Sequence, residues 1–128
     1  GVRYVDDSKA TTPHATLTAM SALPGAVIIV GGRNKGLDLE RLADGRPRAV
    51  VAIGEAAESM AVAFEGACPV VIASSMEEAV RSARDSAAGT GTVLLSPGCS
   101  SFDWYGSYAE RGRDFQRIVR AFAGDGGA

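Results

Sequence analysis

The sequence predicts an α/β domain of three layers, a mostly parallel sheet of five to six strands with helices on both faces. Three observations carry this prediction. Short apolar runs alternate with amphipathic stretches along the whole of the 128 residues, the pattern of repeated strand and helix units. Two of the runs, 26–30 (Ala-Val-Ile-Ile-Val) and 49–53 (Ala-Val-Val-Ala-Ile), are apolar without interruption, as strands buried on both faces must be. The length fits one domain, and a hydrophobic fraction of 46% is enough for one core.

Residues 2–6 alternate apolar and polar side chains, which predicts a first strand with one better buried face. The loop Asp6-Asp7-Ser8-Lys9-Ala10-Thr11 follows. Thr12 then supplies an N-cap and Pro13 a favoured first residue for a helix over 13–22, which ends before Pro24-Gly25. The second strand, 26–30, empties into Gly31-Gly32-Arg33-Asn34-Lys35-Gly36. A short helix over 39–43 precedes the third strand, 49–53, which stops at Gly54. Apolar spacing predicts a helix over 55–64 and a fourth strand over 69–73. Ser75, three residues before Glu78, opens a helix to residue 87. Gly89-Thr90-Gly91 turns the chain into a fifth strand at Thr92-Val93-Leu94-Leu95, followed by a serine-rich and aromatic loop from Ser96. The last helix runs from Tyr108 to Gly124, so 1–124 form the domain and 125–128 a flexible tail. Right-handed crossovers make this a Rossmann-like arrangement, whose strand order the sequence leaves open.

Thirteen basic and fifteen acidic residues give a net charge of −2 with no basic cluster, which argues against a nucleic-acid or membrane-surface footprint. No apolar run approaches the ~20 residues of a membrane span, and no signal-peptide pattern is present. The expectation is a soluble, cytoplasmic protein. Two distant cysteines, Cys68 and Cys99, and one histidine, His14, make a poor metal set, so no metal is expected on this domain. Both thiols read as reduced and partly buried, and a cysteine hydrolase would have His14 as its only candidate base.

In a parallel sheet the loops after strands one, two and five leave on one edge, where ligands of open α/β sheets bind. The first offers Asp6, Asp7, Ser8, Lys9, Thr11 and Thr12, a cation and hydroxyls beside carboxylates. The second puts Arg33 and Lys35 on a glycine-rich bend, where exposed N–H groups add positive potential. The third carries Ser96, Ser100 and Ser101 with Trp104, Tyr105 and Tyr108 as walls. Each loop alone also reads as a plain feature: a solvated helix entry, a glycine turn, a serine-rich connection. Together they describe an anion site. No Gly-Lys-Ser/Thr ending and no Gly-x-Gly-x-x-Gly turn occurs after a strand, so the chain carries no complete nucleotide site of its own.

Asp7-Ser8-Lys9-Ala10-Thr11, Gly31-Gly32-x-x-Lys35, Ser96-Pro97-x-Cys99-x-Ser101-x-Asp103 and Arg111-Gly112-x-x-Phe115 together resemble the C-terminal domain of the Mur ligase family, over essentially the whole chain and in order. Members that add other substrates often carry a histidine after the acidic position of the first loop. Ser8-Lys9-Ala10-Thr11 therefore favours the D-glutamate-adding branch, and the motif of the diaminopimelate- or lysine-adding relatives is missing.

The resemblance implies an ATP-dependent amide ligase of peptidoglycan-precursor synthesis. ATP, with Mg2+, phosphorylates the carboxylate of UDP-N-acetylmuramoyl-L-alanine, the D-glutamate amine attacks the acyl phosphate, and the tetrahedral intermediate collapses to amide, ADP and phosphate. It further implies two more domains, an N-terminal UDP-binding one and a central one holding the P-loop, magnesium and most ATP contacts. Neither is in this sequence, so the fragment alone is expected to be inactive. Carried over by position, Lys9, Thr11, Lys35, Ser101 and Tyr108 serve D-glutamate, while Asp7, Ser8 and Lys9 face ATP; none acts as a catalytic group on this domain alone. Thr12 stands where the family usually has asparagine, Tyr108 where phenylalanine is common, and Arg33-Asn34 differ from familiar members. The competing readings are a free-standing small-anion-binding module without catalysis and a related ligase for another amino acid.

Overall fold

The computed structural model describes residues 1–34, 36–88 and 91–122. In chain order these form β1 (Val2–Asp6), α1 (Pro13–Ala22), β2 (Val27–Gly31), a 3₁₀ helix (Glu40–Gly45), β3 (Ala49–Ile53), α2 (Ala57–Ala63), β4 (Val70–Ile72), α3 (Met76–Ser86), β5 (Gly91–Gly98) and α4 (Tyr108–Phe122). The five strands make one sheet in the order β1-β5-β2-β3-β4, and every pairing is parallel. The expected Gly89-Thr90 turn, the helix end at Gly124 and the tail 125–128 lie outside the described residues.

Alternation along the strands divides the core in two. Val27, Ile29, Val51 and Leu95 pack with Ala79, Val80 and Phe115 of α3 and α4 on one face. Ile28, Val30, Val50 and Leu94 pack with Met20, Leu42, Met60 and Phe64 on the other, under α1, the 3₁₀ helix and α2. This period-two split is why the central strands read as unbroken apolar runs, and it bears out the three-layer expectation. The predicted caps are present: Ala15 N donates to Thr12 Oγ1 at 3.3 Å and Glu78 N to Ser75 Oγ at 3.1 Å. Among the described residues no helix is long and apolar enough to cross a membrane.

The strand order locates the site. The elements following β1, β2 and β3 lie on one face, and those following β4 and β5 on the other. β5 sits between β1 and β2, so the chain leaving its carboxyl end turns to the opposite face from both neighbours. Loops parting in this way open a crevice at the sheet edge.

Several boundaries differ from the sequence reading. The short helix is a 3₁₀ helix displaced to Glu40–Gly45 and ended by Arg46 at φ 50°. The helix expected over 55–64 is Ala57–Ala63, and β4 is only three residues long. The largest correction concerns β5, which continues through Ser96, Pro97 and Gly98 instead of opening into a loop at Ser96. Its register explains how. Ile29 pairs with Leu95 and Gly31 with Gly98, so β2 advances two residues while β5 advances three. The extra residue forms an irregularity that accommodates Pro97, which has no N–H to give to a regular ladder.

Candidate functional site

All five buried polar or charged side chains among the described residues, Ser8, Thr16, Ser96, Ser101 and Arg111, lie where β1 and β5 end. Four of them, Ser8, Thr16, Ser96 and Arg111, form a collar connected through the first loop. Thr16 Oγ1 donates to the Ser96 carbonyl at 2.9 Å, and Ser96 Oγ donates to Asp7 Oδ2 at 2.9 Å. Asp7 N donates to Leu95 O at 2.7 Å and Gly98 N to Ala10 O at 2.8 Å. The first loop is thereby stitched to β5, and among the described residues every buried polar side-chain atom has a partner.

Arg111, 1% exposed, ties α4 to the same loop. Its Nε donates to Ser8 Oγ at 2.9 Å, one terminal nitrogen to Ser8 O at 2.8 Å and the other to Cys99 O at 3.1 Å. Ser8 Oγ in turn donates to Tyr108 O at 2.7 Å. Gly112 permits this approach: a Cβ there would lie 2.8 Å from Asp6 Oδ2. Burial lowers the pKa of Arg111, while Cys99 and Asp103 lead the groups that raise it; a guanidinium stays charged under such conditions. No carboxylate among the described residues forms an ion pair with it. A fixed positive charge therefore lies beneath the rim, with the carboxylates of Asp103 and Asp6 near it but not in contact.

The second loop is joined to the third by backbone. Arg33 N donates to Ser100 O at 2.9 Å and Ser100 N to Arg33 O at 3.1 Å, an isolated antiparallel bridge. Asn34 then closes the bend with its side chain, donating to Leu37 O and accepting from Leu37 N, both at 2.9 Å. Arg33, expected as a cation of the anion site, and Asn34, which the sequence left without a role, both hold the bend through these bonds. Lys35 itself lies outside the described residues.

The remaining predicted residues all fall on this edge. Lys9 is exposed, Asp7 and Thr11 are half-buried, and Tyr108 is 52% exposed. Ser8, Lys9 and Tyr108 line one shallow depression with Asp6 and Arg113, and Asp7 and Lys9 line a second with Ala10 and Thr18. Lys9 thus stands at the divide between two hollows. Ser8 departs from its expected direct contact, because its hydroxyl is already engaged, donating to Tyr108 O and accepting from Arg111 Nε. Ser101 lies at the rim of β5 but is only 2% exposed, its carbonyl accepting from Trp104 N and Tyr105 N.

Sequence reasoning missed Arg111 and Arg113 as site residues. The signal for Arg111 was the glycine that follows it inside a helix, an expensive residue there without a close neighbour. Burial pushes the Cys99 thiol up to about 11 and also raises Cys68, so neither has the lowered pKa of an activated nucleophile. Among the described residues no three histidine, cysteine or acidic side chains gather as metal ligands would.

The family described as "Mur ligase, glutamate ligase domain" matches residues 1–99. The UDP-N-acetylmuramoylalanine--D-glutamate ligase of Chlorobaculum tepidum is 44% identical over 124 residues, covering 94% of this chain and 27% of that protein. The enzyme of the same name from Syntrophotalea carbinolica is 44% identical over 130 residues (98% of this chain, 29% of that protein), and that of Solibacter usitatus 46% over 123 residues (93% and 28%). The chain spans just over a quarter of the length of these relatives. With its parallel three-layer sheet and its match over three-quarters of its length, the chain belongs to the Mur ligase family, as a glutamate ligase domain.

Proposed function

We propose that this chain is the amino-acid-binding, ATP-capping third domain of a ligase that joins D-glutamate to UDP-N-acetylmuramoyl-L-alanine in the cytoplasm. The observation that carries the reading is the adjacency of β1, β5 and β2, which gathers loops bearing Lys9, Lys35 and Ser101 on one edge. Relatives named UDP-N-acetylmuramoylalanine--D-glutamate ligase match nearly the whole chain.

Lys9, Thr11, Lys35, Ser101 and Tyr108 serve D-glutamate in this reading, with Lys35 and Ser101 on the side-chain carboxylate and Tyr108 walling the pocket. Asp7 and Lys9 face the nucleotide, and Ser8 holds their loop from beneath. A dianionic amino acid needs fixed cations and hydroxyls at both carboxylates so that its neutral amine is left free and aimed. The domain's contribution is this positioning. ATP supplies the phosphoryl group that activates the accepting carboxylate. The chain has no Gly-Lys-Ser/Thr loop, and no metal-ligand group occurs among the described residues. Its donors suit the outer edge of a nucleotide, and Mg2+ with most ATP contacts is assigned to a central domain of the same protein, beside an N-terminal UDP-binding one.

Steady-state kinetics of the full-length ligase test this. Lys35→Ala is expected to raise the KM for D-glutamate far more than that for ATP, and an unchanged D-glutamate response would remove the lysine from the pocket. The isolated chain is expected neither to hydrolyse ATP nor to form amide.

A further inference from the structure

We propose that Asp103 is a positioning residue for the amino-acid site: its carboxylate clamps the tip of β3 to the serine loop and so fixes the base of the bend that carries Lys35. The inference rests on the reading above, in which Lys35 and Ser101 hold the acidic side chain.

Asp103 Oδ2 accepts from Glu55 N at 2.9 Å, across 48 residues of sequence, and Oδ1 accepts from Trp104 N at 2.9 Å. One carboxylate thus joins the β3 tip to the third loop. The β3 tip is shaped to admit it. Gly54 stands at φ +70°, and a Cβ on it would collide with Asp103 Oδ2. The start of the second loop is held between these parts. Gly32 N donates to Ile53 O at 3.1 Å and Ala56 N to Gly32 O at 2.8 Å, on the β3 side. On the other side lie the two backbone bonds between Arg33 and Ser100. Arg33 also reaches back, with Nε 3.2 Å from Glu55 Oε2.

Gly32 and Arg33 are therefore gripped by β3 on one flank and by the serine loop on the other, and Asp103 is the side chain that joins the two flanks. Without it, the β3 tip loses its direct tie to the serine loop, and the two stay joined only through the bonds of Gly32 and Arg33, so the base of the bend is held less firmly. Displacement of a positioning group by about 1 Å is enough to cost up to ~100-fold in rate. A two-acceptor carboxylate is the chemistry required, because it faces two backbone N–H donors. Asparagine keeps one acceptor and turns an NH2 toward the other donor.

The test uses the full-length ligase with Asp103→Ala, Asp103→Asn and Lys35→Ala in parallel, measuring KM for D-glutamate, KM for ATP and kcat. Asp103→Ala is expected to raise the D-glutamate KM by at least about ten-fold, with a far smaller change for ATP, and Asp103→Asn to fall between it and the parent. Should Asp103→Ala not fold, Asp103→Asn alone decides, by the same selective rise. A Lys35→Ala effect with parental D-glutamate KM in both Asp103 variants overturns this inference and leaves the function standing. Equal loss for both substrates overturns it too, as damage to the fold at large. No D-glutamate effect from Lys35→Ala removes the functional reading itself.

Discussion

The body of the sheet and its carboxyl edge are built on different principles. Below the strand tips both faces are filled by aliphatic and aromatic side chains, and no buried polar side chain is found there among the described residues. At the tips of β1 and β5, five polar or charged side chains are buried, four of them within one hydrogen-bonded collar. Apolar packing is non-directional and tolerates small shifts in partner identity. A buried polar group accepts only a narrow range of positions, since losing its partner leaves an unsatisfied atom. The molecule therefore concentrates its stability in the body and its geometric precision at the rim.

This contrast is broken most strongly from the apolar side. Phe64, fully buried in the body, should cost about 3–5 kcal/mol when replaced by alanine, read from the urea midpoint of the isolated chain. The same change in the full-length ligase should leave the D-glutamate KM unchanged. Arg111→Lys is the opposite case. It keeps the charge and loses the fork that serves Ser8 and Cys99, for about 1–3 kcal/mol from acceptors left unpaired. Despite the smaller loss, its D-glutamate KM should rise, because the first loop loses its support.

A pH profile sharpens the same comparison. Burial raises the Cys99 thiol from 9.0 to about 11, with Arg111 lowering it and Asp103 raising it less strongly. The folded state thus holds this proton more tightly than the unfolded chain. The stability it confers is fully present below pH 9 and is lost as pH rises toward 11. Cys99→Ala should flatten that alkaline decline, and a parallel decline in both proteins would contradict the assignment. The smallest effect is expected at Arg33→Ala. Its ion pair with Glu55 has both side chains about half exposed, so the loss should stay within ~1 kcal/mol, while the backbone bridge to Ser100 persists.

Much of the body was legible in the sequence because its signals are local. The unbroken runs at 26–30 and 49–53, the Thr12-Pro13 start and the Ser75 to Glu78 cap each state their structure within a few residues. The edge was legible in outline only. That three loops share one side follows from parallel strands, but their adjacency depends on β5 inserting between β1 and β2, which is decided by packing far along the chain. Ser96-Pro97-Gly98 reads as a loop because its residues are those of turns; only the irregular register with β2 shows how a strand contains them. Arg111 reads as one of several charges on an amphipathic helix, since periodicity does not distinguish a solvated guanidinium from one enclosed by carbonyls 12 and 103 residues away. Asp103 stood in a recognised motif, yet the contact that gives it meaning is to the backbone of β3.

The most direct measurement of the central claim is a structure of the full-length ligase with D-glutamate bound. The account predicts the side-chain carboxylate about 3 Å from Lys35 Nζ and Ser101 Oγ, at hydrogen-bonding distance, above the carboxyl ends of β1, β5 and β2. An amino acid bound elsewhere on this domain, or held without either residue, would contradict it.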